Sequence, residues 1–229
     1  MNSLKAILLT LFIFCLIPSA SGQDVTQPLS PRLDIVTVDP YTGYATIRWL
    51  PSPSGDVGSY VVYTYSNGVA DAVDTIRSPY ILEYTHTLSA ARYLSITYVV
   101  AAMDSALNIS PLSNPLSTVY LEVKNDSCKQ RIELRWTPYV NQAHPADRYE
   151  LWLSAGTAPA ELYGTVAMTD TSFIFDDYTP GTRYCFYIVA SGNSGDLSSS
   201  TCNASSPEAR RHLHGPGRMP SPLRTVLFL

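Results

Sequence analysis

The sequence predicts an all-β chain built as two tandem seven-stranded β-sandwiches, and three observations carry the prediction. The chain repeats itself at a spacing of about 90 residues, its apolar residues alternate with a period of two, and no sustained helical period occurs. The bulk composition agrees: 16 Tyr, 17 Pro and 12 Gly among 229 residues are the currency of strands and turns.

The repeat is explicit. Ala-Thr-Ile-Arg-Trp-Leu-Pro at 45–51 recurs as Ile-Glu-Leu-Arg-Trp-Thr-Pro at 132–138, setting Trp136 87 residues after Trp49. Ser-Tyr-Val-Val-Tyr at 59–63 recurs as Arg-Tyr-Glu-Leu-Trp at 148–152, with Tyr60 and Tyr149 89 apart. Tyr-Val-Val-Ala-Ala at 98–102 recurs as Phe-Tyr-Ile-Val-Ala at 186–190, with Ala102 and Ala190 88 apart. Two modules follow, expected at 24–116 and 117–204.

Within the second module the strands can be justified in order. Val119, Leu121 and Val123 open it on alternate positions. Ile132, Leu134 and Trp136 share one face, with Glu133 and Arg135 on the other. Tyr149, Leu151 and Leu153 alternate likewise, then Phe173 and Phe175, then Tyr184, Phe186, Ile188 and Ala190. Turn chemistry separates the runs at Thr137-Pro138, Ala155-Gly156, Thr179-Pro180-Gly181 and Ser194-Gly195. About seven short strands at this spacing describe a sandwich.

The ends differ from this body. Lys5 precedes an apolar run from Ala6 to Ile17, broken by Pro18 and followed by the small residues Ser19-Ala20-Ser21-Gly22. The run is shorter than the roughly 20 residues of a membrane span, so residues 1–22 are expected to be a cleaved signal peptide, leaving Gln23 first and 207 residues (229 − 22). Cys15 is then filler of that signal. Residues 205–229 lose all alternation and carry Arg210, Arg211, Arg218, Arg224, His212 and His214. They are expected to be a disordered, non-native tail, with a basic interaction tail as the alternative.

Several functions are excluded or disfavoured. The net charge is −4 and Lys occurs only at 5, 124 and 129, which is no nucleic-acid surface. No transmembrane segment is expected after signal cleavage. The chain has no G-x-S-x-G, phosphate loop, H-E-x-x-H or paired C-x-x-C. His86 is expected on an outer strand face and His144 in a loop, with no nucleophile–base pair between them. No catalytic residue, metal or cofactor is therefore assigned; Asp176-Asp177 beside a turn is read as solvated rather than calcium-binding. Three sequons, at Asn108, Asn125 and Asn203, have meaning only in a glycosylating host.

The motifs carry a resemblance. Arg-Trp-Thr-Pro on the second strand, Tyr149 on the third and Thr-Pro-Gly-Thr-Arg-Tyr before the sixth (179–184) resemble a fibronectin type III module, an immunoglobulin-like sandwich. The resemblance implies core roles for Trp136 and Tyr149 and a tyrosine corner at Tyr184, whose hydroxyl would return to upstream backbone. The first module fits with Trp49 and Tyr60, but Ile96 stands at the corner position. Pro-Ser-Pro-Ser-Gly-Asp-Val-Gly-Ser-Tyr-Val-Val-Tyr (51–63) and Ala-Ala-Met-Asp-Ser-Ala-Leu-Asn-Ile-Ser-Pro-Leu-Ser (101–113) are similar to tandem modules of exported, gliding-motility-associated bacterial surface proteins. That group has Cys-Gly where this chain has Ala106-Leu107, and it continues into a C-terminal sorting domain, which implies a truncated fragment here. Asp74-Thr75-Ile76 and Asp104-Ser105-Ala106 also resemble that group's short O-glycosylation motif.

The resemblance places the remaining candidates. Cys185 opens the sixth strand and Cys202 lies near the end of the seventh, so a 185–202 disulfide is the preferred pairing; 128–202 and 128–185 are alternatives, and any of them leaves one thiol over. Trp152 and Tyr187, on neighbouring strands, form a candidate outward interaction patch, with Tyr63 and Tyr65 comparable in the first module. The competing reading is packing against the other module. The expected function is a non-catalytic exported spacer, adhesion or protein-interaction module, meeting an unidentified protein or glycan. An accessory region of a larger secreted hydrolase and a receptor-like ectodomain are the alternatives.

Overall fold

The structure, a computed structural model, describes residues 24–141, 143–192 and 197–207. The expected signal segment 1–22, His212, His214 and the tail arginines lie outside the described residues. The first module consists of β1 (Arg32–Val38), β2 (Ala45–Leu50), β3 (Val57–Ser66), β4 (Val69–Ile76), β5 (Glu83–His86), β6 (Thr97–Asp104) and β7 (Leu116–Ser117). The second consists of β8 (Leu121–Asp126), β9 (Arg131–Trp136), β10 (Arg148–Ala155), β11 (Glu161–Ala167), β12 (Ser172–Phe175), β13 (Tyr184–Ser191), β14 (Leu197–Ser199) and β15 (Asn203–Ser205). Each module pairs a three-stranded sheet (β1-β2-β5; β12-β9-β8) with a larger one (β4-β3-β6-β7; β11-β10-β13-β14, with β15 also on β13). All pairings are antiparallel, and each module has its own core, so the chain is two tandem sandwiches. The seventh strand of the second module is split at 200–202 into β14 and β15, a break the alternation pattern did not indicate. Ser205 and Pro207, expected at the start of the tail, are part of this fold: Ser205 pairs with Tyr184, and the Pro207 carbonyl accepts from the Gly181 N–H at 2.7 Å.

The repeated residues do repeated work. Trp49 meets Tyr60 edge-on at 5.5 Å and Trp136 meets Tyr149 at 5.4 Å. Each tyrosine hydroxyl accepts a loop amide, from Ser52 at 3.1 Å and from Tyr139 at 2.7 Å. Burying side chains of this size is worth about 1.5–3 kcal/mol each, and the hydroxyl's partner removes the penalty of an orphaned polar group. Two serines also recur: Ser113 and Ser200 each accept from a sixth-strand amide through Oγ (Val100, 3.0 Å; Ile188, 3.0 Å) and return their own N–H to that residue's carbonyl (both 2.9 Å). The third-to-fourth strand connections differ. Asn67-Gly68 closes β3–β4 as a two-residue turn with φ of 51° and 82°, the left-handed pair that matches strand twist.

The tyrosine corner differs as well. In the second module the Tyr184 hydroxyl accepts from the Thr179 N–H at 2.8 Å. In the first, Ile96 packs against the core and the buried tyrosine comes two residues later. Tyr98 Oη lies 3.0 Å from both His86 Nδ1 and Ser89 Oγ, and burial pushes the phenol up to about 12. His86, expected to face outward, thus turns toward the core. It shares a strand face with Tyr84, which packs on that core, and burial lowers its pKa.

Candidate functional site

The side chains that distinguish this chain from two independent sandwiches gather where the modules meet. β1 and β14 are edge strands of different modules, and they run side by side in parallel with a constant offset. Ser198 Oγ donates to the Val36 carbonyl (2.7 Å), the Ser199 N–H to Thr37 Oγ1 (2.9 Å), and the Cys202 N–H to the Pro40 carbonyl (2.8 Å). Ser198 is fully buried, and Leu33, Asp34, Ile35 and Val36 are buried in succession, so β1 is covered on both faces. Each edge thereby blunts the other, where an open edge would invite a foreign strand.

Polar side chains fasten the upper end of this seam. Asp34 accepts from Arg48 Nε of its own module at 2.8 Å and from His144 Nε2 of the other at 2.5 Å. Burial works against ionising Asp34, but the hydrogen bonds from Arg48 and His144, with the guanidinium charge of Arg48, outweigh it and hold the carboxyl below its usual range. Asn141, also buried, donates to the Asp34 carbonyl at 2.7 Å and to Tyr139 Oη at 3.0 Å, and its Oδ1 accepts from Ala143 and His144 amides. The loop holding His144 is seated on Gly192, where a Cβ would come within 2.6 Å of the Pro145 carbonyl. Asp34 and Ser198 were missed by sequence reasoning. The available signal was a charged residue in an apolar strand, Arg-Leu-Asp-Ile-Val-Thr-Val.

The aromatic candidates are placed as follows. Trp152 and Tyr187 are cross-strand partners with centroids 5.9 Å apart and planes within 7°. Tyr41 of the first module meets Tyr187 edge-on at 6.4 Å, and Trp152 Nε1 donates to Glu150 at 3.3 Å. The ring faces therefore cover one another, and the row crosses from one module to the other. Burial, then Tyr41, raises the Tyr187 phenol. Tyr63 is half-buried against Val99 and Ala72, and burial raises it. Tyr65 lines a cleft of about 480 Å³ between the modules with Asn67, Pro115, Pro138 and Val140. A neighbouring cleft of about 580 Å³ shares Pro115 and Val140 and adds Arg32, Asn114 and Asn141. Asn114 is committed to both backbone groups of Leu33, and Thr97 to Ser117.

Cys185 and Cys202 are joined by a disulfide with Cα atoms 5.6 Å apart; Cys128 lies exposed in the β8–β9 turn, outside that bond. Asp176 and Asp177 are both exposed. Carboxylate oxygens of Asp24, Asp56 and Asp104 instead lie within 4.8 Å of one another, with Asp104 bonded by the Asn108 amide and backbone, which lowers its pKa. Of the sequons, Asn108 and Asn203 spend their amides on Asp104, Asp24 and Leu121, and Asn125 is exposed. Among the described residues no helix is long and apolar enough to cross a membrane.

No family model matches the chain. Solved structures do resemble it. The FN1–FN3 domains of chicken CNTN1 are 19% identical over 80% of this chain and 70% of theirs, with a TM-score of 0.35. A two-domain fibronectin type III segment of chicken tenascin is 16% identical over 77% of this chain and 97% of its own, with a TM-score of 0.30. An Fn3-like protein from Clostridium thermocellum is 24% identical over 44% of this chain and all (100%) of its own, with a TM-score of 0.35. What the chain's own topology shows is two tandem antiparallel β-sandwiches, each with its own core.

Proposed function

We propose that the chain is a non-catalytic, exported spacer or protein-interaction unit of a secreted or cell-surface protein. It is of the kind found in gliding-motility-associated surface proteins, with a cleavable signal at 1–22 and modules at 24–116 and 117–204. The observation that carries the reading is the seam. Its polar side chains are spent on backbone and side-chain groups of the opposite module. What such an arrangement delivers is a fixed relation between two sandwiches, so loops and strand faces are displayed at a set angle. The export-type N-terminal run and a disulfide, which persists in oxidising compartments, support the location. The partner is a protein or a glycan met on outward surfaces, and the acidic balance argues against nucleic acid.

Expression of the full chain in a Gram-negative host tests this. The expected result is a periplasmic or secreted product whose intact mass begins at Gln23, with small-angle scattering that fits one orientation of the modules. A product kept in the cytoplasm with residues 1–22 attached, or turnover of polysaccharide or peptide substrates, overturns it.

A further inference from the structure

We infer that the Cys185–Cys202 disulfide is a redox latch on module docking: it holds the seventh strand of the second module in the bulged path that reaches the first. This rests on the seam described above. Between β14 and β15 the regular ladder to β13, which pairs Ser199 with Val189, resumes only at Asn203 with Phe186; Ser200 still clasps Ile188, and the chain departs from β13 at 201–202. In that gap the Cys202 N–H points away from its own sheet and donates to the Pro40 carbonyl of the first module. The adjoining Ser198 and Ser199 supply two more seam bonds. The disulfide is the covalent tie from the gap back to β13. A ladder continued in the β14 register would turn the Cys202 amide toward β13 and withdraw it from Pro40. The bond thus ties to β13 the stretch of chain that reaches Pro40.

The reaction is thiol–disulfide exchange with a dithiol reductant. The Sγ–Sγ bond breaks, Cys185 and Cys202 together gain two electrons and two protons to become thiols, and the reductant's two thiols become its own disulfide. Thiolate attack on one sulfur and resolution by the reductant's second thiol complete the exchange.

The test uses the folded full chain, oxidised or treated with dithiothreitol under native conditions, with thiol titration to follow reduction. Hydrogen exchange and small-angle scattering are the readouts. On reduction, exchange at the Ser199 and Cys202 amides is expected to speed about tenfold, the effect of losing one net hydrogen bond. The radius of gyration is expected to rise, while β9 and β10 keep their protection. Ser198→Ala is expected to reproduce the scattering change with the disulfide intact, and Cys128→Ser to leave both readouts as in the unmodified chain. Full thiol release with unchanged scattering and exchange overturns the latch. So does global unfolding of the second module, which would make the bond a staple of the fold. An oxidised chain that already scatters as two loosely tethered bodies overturns the docked reading itself, and so separates that failure from failure of the latch.

Discussion

Position 97 of the first module corresponds to position 185 of the second by the 88-residue repeat, and each ties the sixth strand to the seventh. Thr97 does so with a 2.7 Å bond to the Ser117 hydroxyl, Cys185 with a disulfide to Cys202. Both modules use the same serine clasp one turn of the ladder away, at Ser113 and Ser200. The difference is what else the seventh strand must do. In the first module it closes its own sandwich. In the second it also supplies Ser198 and Ser199 to β1 of the first and the Cys202 amide to Pro40 just beyond it. A strand shared between two bodies carries the covalent tie, and a strand serving one body has a hydroxyl pair.

The hardest way to break the comparison is at the cores. Trp49→Ala and Trp136→Ala are each expected to cost about 3–5 kcal/mol. Calorimetry distinguishes what the seam does with that loss. A fastened pair moves both transitions when either tryptophan is removed; two independent modules each move one. Next comes the tie itself. Removing the 185–202 disulfide by Cys185→Ser with Cys202→Ser is expected to cost about 3 kcal/mol, since the closed loop spans a separation of 17 residues. Thr97→Val is expected to cost about 1 kcal/mol, the net value of one hydrogen bond. Denaturant titrations at matched conditions give both, and equal costs would erase the distinction drawn between the strands.

What the sequence made legible follows from how local each signal is. Period-two alternation identified β8, β9, β10, β12 and β13 of the second module because an inward face is written in alternate residues, as in Ile132, Leu134 and Trp136. The repeat doubled that evidence. His86 was misread although parity could have placed it, since Tyr84 two residues earlier faces the core. The seam was not legible. Ser198 and Val36 are 162 residues apart, and a serine in a strand reads the same whether it faces water or a neighbouring edge. Asp34 in an apolar strand hinted at a partner, but nothing local named His144, 110 residues away. The split of the seventh strand was hidden for the same reason, because Ser-Ser-Ser-Thr-Cys carries no strong alternation.

A smaller effect separates the modules by pH. His86 and Tyr98 of the first occupy the places of Phe175 and Phe186 in the second. His86 pairs with Ala45 as Phe175 pairs with Ile132, and both ring pairs meet edge-on, at 5.9 and 5.2 Å. The His86 ring also faces Tyr84 at 6.3 Å, and Ser89 shares the Tyr98 hydroxyl. Burial lowers the folded pKa of His86, so the unfolded chain, at about 6.5, binds the proton more readily. The stability this contributes is complete above about pH 6.5 and is lost as pH falls toward the folded value. The first module is therefore expected to lose melting temperature between neutral and mildly acidic pH. Transplanting the second module's solution, His86→Phe with Tyr98→Phe, is expected to flatten that slope. A slope unchanged in the double variant would place the acid sensitivity elsewhere.

The smallest expected effect lies in the aromatic row. Tyr41 is the only ring of the row from the first module, and it is 68% exposed, so its burial contributes little. Its edge-on contact with Tyr187 is worth about 0.5–1.5 kcal/mol, with the lower end fitting an exposed ring. Tyr41→Ala is thus expected to leave the melting of each core nearly unchanged and to loosen only the relation between modules, seen as a modest rise in radius of gyration. Trp152→Ala removes a ring stacked within the second module and is expected to lower that module's stability instead. The two substitutions touch the same tyrosine from opposite sides. If both act on module orientation, the row is one continuous piece of the seam. If only Tyr41→Ala does, Trp152 and Tyr187 belong to the second module's own face and their outer edges are available to a partner.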